Sequence, residues 1–203
     1  MIKNISLDHG WYYHYRIHTL KSGNLCNKFD SLTAYLENVF KECPNDYFRG
    51  NGLRGSKLNF NLNLKIHHLD THEVCELAKE ALRIDTEKTE HTKIETFFLE
   101  KDNKTIASEV PVWIHPEELE EFSDLNLKEV MTGHIDLLRI EDGKIWVWDF
   151  KPNAANEKYA STQTYFYALM LSKRTNISLK NFRCGYFDTN NAFVFIPKIE
   201  QVL

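Results

Sequence analysis

An α/β fold, with a central mixed sheet flanked by helices, is predicted by three features of this chain. From Thr86 onward, apolar residues at helical and then two-residue spacing follow the order helix, three strands, helix, two strands. Between the second and third of those strands, Glu141-Asp142-Gly143 reads as a hairpin turn, so two apolar strands lie side by side. At 203 residues the chain fits one compact domain of ordinary size with an appended subregion. The expected division is a strand and helix extension over 1–85, packed on a core over 86–203.

The extension opens with Trp11, Tyr12, Tyr13 and Tyr15. Here Tyr13, Tyr15 and Ile17 alternate with His14, Arg16 and His18, the pattern of a strand. Leu32, Tyr35, Leu36, Val39 and Phe40 recur at helical spacing until Cys43-Pro44 stops them. Leu58, Phe60, Leu62, Leu64 and Ile66 alternate with Asn59, Asn61, Asn63 and Lys65, which predicts a half-buried strand. Asp70 and Glu73 form a capping-box pattern ahead of Val74, Leu77, Ala78, Ala81 and Leu82, a second helix.

The core begins with a helix from Thr86 that carries His91, Ile94, Glu95, Phe97 and Phe98 and ends at the polar turn Lys101-Asp102-Asn103-Lys104. Val110, Val112 and Ile114 mark a strand, and Pro116 to Phe122 a short acidic helix. Strands around Gly133 and Trp148 follow. Glu157 to Lys173 reads as a helix with Phe166, Leu169 and Met170 as its core stripe, and two closing strands surround Asp188-Thr189-Asn190-Asn191. There is no internal repeat and no low-complexity tract.

A net charge of −4 argues against a generally basic nucleic-acid coat but leaves room for a local positive groove. No signal-type segment and no run of about 18 apolar residues is present, so the expectation is an intracellular, cytoplasmic protein with no membrane partner. Cys26, Cys43, Cys75 and Cys184 are scattered without a Cys-x-x-Cys pair, which predicts free thiols.

The chemistry concentrates in two segments, Gly133-His134-Ile135-Asp136 and Trp148-Asp149-Phe150-Lys151. Side chains alternate along a strand, so Asp149 and Lys151 share one face while Trp146, Trp148 and Phe150 take the other. Hard divalent cations prefer oxygen, and two carboxylates on adjacent strands make a natural site for magnesium or manganese. The Lys151 ammonium would orient a water or offset charge developing on a phosphate. Pro152 keeps the strand extended through Lys151 and ends it there.

Gly133-x-Ile135-Asp136, Asp149-Phe150-Lys151 and Gln163-x-x-x-Tyr167, in this order, resemble the RecB-like branch of the PD-(D/E)XK nucleases. The resemblance covers roughly the last 120 residues and implies a restriction-endonuclease-like core. It further implies a metal-dependent deoxyribonuclease, a RecB-like exonuclease or a single-strand-preferring enzyme, using Mg2+ or Mn2+. Asp136, Asp149 and the Phe150 carbonyl would hold the metal and Lys151 would assist the attacking water. A helix-borne ligand is expected from His91, with Glu95 second, since the two share a helix face. Gln163 and Tyr167, one turn apart, would position DNA. The adaptation nucleases of this branch carry an iron–sulfur cluster on four cysteines, three of them near the C-terminus; only Cys184 lies there in this chain, so no cluster is expected. ATPase motifs are absent, which points to a stand-alone module or to one partner in a repair, recombination or replication assembly acting on DNA or RNA.

Other readings compete. The same acids and lysine would serve a structural ion pair, a catalytically inactive nucleic-acid-binding or scaffold subunit, or a restriction-type endonuclease. Glu109, ahead of the first core strand, could face the metal, but reads rather as a solvent-facing strand residue. Gly50-Asn51-Gly52-Leu53-Arg54-Gly55 spells a dinucleotide fingerprint, but an alternating segment rather than a helix follows it, and Ser56-Lys57 reverses the order a phosphate loop needs. What remains is a flexible loop in which Arg49, Arg54 and Lys57 near Tyr47 and Phe48 suit phosphates and stacked bases. His67, His68 and His72 read as a polar surface turn.

Overall fold

The computed structural model describes residues 1–119, 122, 125 and 127–199. The chain enters through a hairpin of β1 (Ile2–Asp8) and β2 (Tyr12–His18), then runs through α1 (Thr19–Leu25), α2 (Asp30–Glu42) and α3 (Asn45–Arg49). A short strand β3 (His67–Leu69) precedes α4 (Glu73–Leu82) and α5 (Glu90–Lys101). The rest is β4 (Thr105–Ile114), β5 (Met131–Glu141), β6 (Lys144–Phe150), α6 (Ala160–Thr175), β7 (Phe182–Phe187) and β8 (Ala192–Phe195). From α5 onward this is the expected helix, three strands, helix, two strands.

One sheet of eight strands unites them in the order β1-β2-β4-β5-β6-β7-β8-β3. β6 and β7 pair in parallel, and α6 supplies the crossover that parallel neighbours require. The other neighbours pair antiparallel. Helices cover both faces. On one side Leu32 and Leu36 of α2 and Phe166, Leu169 and Met170 of α6 join Val110, Val112, Val147 and Cys184 in the larger core. On the other, Val74 and Ala78 of α4 and Ile94 and Phe98 of α5 pack on Leu137, Trp148, Phe150 and Phe187. Among the described residues no helix is long and apolar enough to cross a membrane.

Several expectations are corrected. The alternating 58–66 segment is not a strand: burial does alternate at Leu58, Phe60, Leu62 and Leu64, yet the described strand begins only at His67. Leu58, Phe60, Leu62 and Leu64 pack against the core while Ile66 is exposed, with Phe60 edge-on to Phe166 and its carbonyl accepting from Thr162 Oγ1 at 2.7 Å. Period-two burial needs one apolar surface, not a ladder. His72, not Asp70, caps α4, its Nδ1 accepting from Val74 N at 3.2 Å, and its ring lies against Trp148. His67 and His68 belong to β3 rather than to a surface turn.

The α5 helix starts at Glu90, because the Thr89 hydroxyl accepts from Thr92 N and fixes the cap there. Pro116–Glu118 is a single 3-10 turn, and Glu120 and Glu121 of the expected acidic helix lie outside the described residues. α6 begins at Ala160 and is buried around most of its circumference rather than along one stripe, since the sheet, α2 and the 58–64 segment surround it. The β1 strand was not foreseen. It pairs with β2 over its whole length but buries only Leu7, so it carries little apolar pattern.

The β6–β7 pair depends on one close approach. A Cβ on Gly185 would lie 2.3 Å from the Trp148 ring, so the indole lies across a position that has no side chain. Gly185→Ala should cost about 1–3 kcal/mol through overpacking, seen as a lower denaturant midpoint at unchanged slope.

Candidate active site

The β5–β6 hairpin is set by its turn, where Asp142 and Gly143 both take positive φ, 49° and 64°, as a two-residue turn between twisted strands requires. From there the register runs Glu141↔Lys144 to Leu137↔Trp148 and then the ladder stops. One further step would set Asp136 opposite Asp149. Instead the Asp136 carboxylate takes the freed amide: Phe150 N donates to Asp136 Oδ2 at 2.8 Å, within a buried setting. The Asp136 side chain is thereby held against the backbone between Asp149 and Lys151.

Lys151 stays in line because its amide donates to Phe187 O at 2.8 Å, extending the parallel ladder one residue beyond β6. Its Nζ lies 2.7 Å from Asp149 Oδ2. The other Asp149 oxygen accepts from Gln163 Nε2 at 2.9 Å, and the same amide group donates to the Tyr167 hydroxyl at 3.1 Å. Tyr167 in turn lies on two glycines: a Cβ at Gly133 or Gly55 would come within 2.1 or 2.6 Å of its ring. The glycine of Gly-x-Ile-Asp and the tyrosine of Gln-x-x-x-Tyr are thus two sides of one contact.

Burial, and next the charge of Asp136, push the Asp149 carboxyl up to about 7 against the pull of Lys151 and His91. Burial works against the Lys151 charge, but Asp149 and Asp136 outweigh it and raise the ammonium above its ordinary value. His91 comes from α5 with Nδ1 3.4 Å from Asp136 Oδ2 and its ring edge-on to Phe150. That contact with Asp136 raises its pKa despite burial. Glu95, one turn on, is turned away into an ion pair with Arg16 of β2 at 3.0 Å. Burial, joined by Asp136 and opposed by Glu109 and Arg16, drives Glu95 up to about 7.

Glu109 does not face solvent. It falls between the pairs Ser108↔Leu137 and Val110↔Ile135, beside Asp136, and lines the same cleft. Its φ of 51° breaks the strand's alternation, so that Ala107 and Val110, which would otherwise face opposite ways, reach the same core. Burial first, then Glu95 and Asp136, raise its carboxyl well above the ordinary range. The available signal was a lone acid within the otherwise uncharged stretch Thr105–Ile114.

His91, Glu109, Asp136, Asp149, Lys151, Gln163 and Tyr167 line a cleft of about 220 Å³ together with Tyr13, Arg54, Ser56 and His134, while Glu95 is not in its lining. The glycine-rich segment therefore reaches the site, but as an anchored wall and not as a flexible loop. Arg54 donates to the Tyr13 hydroxyl at 3.0 Å and to His9 O at 2.8 Å. Arg49 is held by Asp8 and Asp46, away from the cleft lining. His134 stacks on Tyr13 at 3.8 Å and meets His9 at 2.8 Å, while His9 also meets Asn45 Oδ1 at 2.8 Å. Burial lowers His9 to about 4 and holds His134 well below its ordinary value, so burial disfavours charge on both rings. Neither His9 nor His134 was singled out from sequence.

Among the described residues no three His, Cys, Asp or Glu side chains stand gathered as a ready metal cage. The donor set nevertheless suits a hard divalent cation: Asp136, Asp149 and His91 share one cleft, and Asp136 raises the cost of ionising both Asp149 and Glu95. A positive ion is what such mutually repelling acids lack. The cysteines are free, with Cys26, Cys75 and Cys184 buried.

Neither the curated proteins nor the solved structures contain a match to this chain. A family model does match, over residues 31–202, and takes in all of α2 but its first residue and everything through β8, with every residue of the Asp136, Asp149, Lys151, Gln163 and Tyr167 cluster. The chain belongs to the PD-(D/E)XK nuclease superfamily.

Proposed function

We propose that the protein hydrolyses phosphodiester bonds in DNA with Mg2+ or Mn2+, as a RecB-like exonuclease or single-strand-preferring nuclease. The observation that carries this reading is the meeting of Asp136, Asp149 and Lys151 at the end of the β5–β6 ladder, with Gln163 and Tyr167 behind them. Asp136, Asp149 and the Phe150 carbonyl would hold the metal. His91 is favoured as the helix-borne ligand, because it touches Asp136 while Glu95 is engaged by Arg16. Bound there, a divalent cation would polarise the scissile phosphate and lower the pKa of water.

The side chains divide the remaining work. Lys151 brings a fixed positive charge to the edge of the carboxylate pair, where an oxyanion gathers charge during displacement. Gln163 holds Asp149 in place and orients the Tyr167 hydroxyl, so this pair positions the substrate backbone beside the acids. Tyr13, Arg54 and Ser56 wall the cleft on the side of β2.

Incubation with labelled single-stranded and duplex DNA should give product with manganese and none with chelator. Asp149→Ala and Lys151→Ala should each reduce cleavage by about 100-fold or more while the circular dichroism spectrum is kept. Cleavage retained by Lys151→Ala would remove this mechanism.

The raised groups also predict a stability profile. Asp149 and Glu95 are raised in the folded state, so the native protein binds more protons than the unfolded chain between about pH 4 and 7. His91, raised above 6.5, has the same sign. In metal-free protein these groups therefore contribute a loss of stability as pH rises through this window, opposed by His9 and His134, which are lowered in the folded state and contribute a gain. Metal binding competes with these protons, so manganese should raise the Tm more at pH 8 than at pH 5.

A further inference from the structure

A second concave surface lies on the opposite face of the sheet from the acids. It is a groove of about 270 Å³ formed in part by Trp146, Val194 and Ile196, with Lys65, Arg183 and Lys198 around it. No Asp or Glu is among its described lining residues. In a chain with a net charge of −4, three cations grouped without an acid select for an anionic occupant.

The floor is aromatic for a reason of packing. Trp148 is fully buried across Gly185, and Trp146 stacks on it with ring centroids 5.4 Å apart and planes within 10°. Trp146 is only partly buried and ends this stack inside the groove, so it offers an indole to a further planar ring. The β6–β7 register sets Arg183 directly beside Trp146, where a guanidinium can meet a phosphate or stack in its turn. Lys65 and Lys198 are exposed on the rim.

We propose that this groove binds a base of single-stranded nucleic acid on Trp146, with the neighbouring phosphates held by Lys65, Arg183 and Lys198. A planar floor under a cationic rim is the arrangement that single strands use, since an unpaired base exposes the π-face that a duplex hides. The choice of nucleic acid rests on the nuclease reading. The groove would be a second hold on the strand, separate from the acids, because Trp146 and Asp149 face opposite ways along β6. It would favour substrates with a single-stranded segment over blunt duplex.

The test uses the full chain and fluorescein-labelled oligo(dT), with a blunt duplex of equal length in parallel and chelator present. Lys65→Glu with Lys198→Glu, both surface changes, should weaken oligo(dT) binding by about tenfold and flatten its salt dependence, with little effect on duplex binding. Trp146→Ala should weaken it similarly, with recovery in Trp146→Phe, and iodouracil-substituted oligo(dT) should photocross-link to Trp146. Hydrolysis of a small chromogenic phosphodiester, which needs only the cleft, should be unchanged in the Lys65→Glu, Lys198→Glu protein. Oligo(dT) affinity within about twofold of the parent in that double variant, or cross-links confined to the acidic cleft, would overturn the proposal. Groove-dependent binding without metal-dependent product would sustain the groove and retire the nuclease reading; cleavage with unaltered binding in the double variant would do the reverse.

Discussion

The hydrogen bond from the Phe150 amide to Asp136 is the contact on which the rest of this site depends. A ladder amide at the end of β6 must find an acceptor once β5 departs, and a buried amide left without one is costly. Asp136 supplies that acceptor from its side chain. In doing so it fixes its carboxylate beside the end of β6, at the amide between Asp149 and Lys151, whose side chains share one face. The end of the sheet ladder, usually satisfied by water or a loop, is here satisfied by an acid of the cleft.

The groups around that acid hold the site narrow and make its acids hard to ionise. Asp149 is tied by Gln163 and Lys151, and Gln163 is tied by Tyr167, whose ring rests on Gly133 and Gly55. Asp136 makes its acidic neighbours harder to ionise, and burial does the same. Such an arrangement opposes folding in the absence of a counter-charge, and its persistence in the fold is what connects the geometry to a cation. Glu109 belongs to the same trade: a left-handed residue within a strand is strained, and here it carries an acid into the cleft beside Asp136.

Much of this was legible in the residues. The Asp-Gly turn and the alternation of Trp148, Asp149 and Phe150 are local signals, so the hairpin and the shared face of Asp149 and Lys151 follow from short-range rules. The helices α2, α4 and α6 are long periodic segments and read clearly, although the caps at His72 and Thr89 fell elsewhere because side-chain geometry decides them. The 58–66 stretch misled because alternation reports burial and not pairing. Glu109 reads as facing solvent, and His9 and His134 escape notice, because their meaning lies in partners far along the chain: Asp136 for the first, and each other for the two histidines. The one local signal, a lone acid within an uncharged stretch, does not by itself distinguish an acid turned inward by a positive φ from one facing water. The wall built by Arg54 and Tyr13 was legible only as composition, since its anchoring is again long-range.

The most direct measurement is anomalous diffraction at the manganese edge from crystals soaked in Mn2+. A single strong peak touching both the Asp136 and Asp149 carboxylates, with His91 at its edge, is the predicted result. A peak on only one of these acids, or the absence of any peak between them at saturating manganese, would contradict the claim that the two carboxylates share one ion.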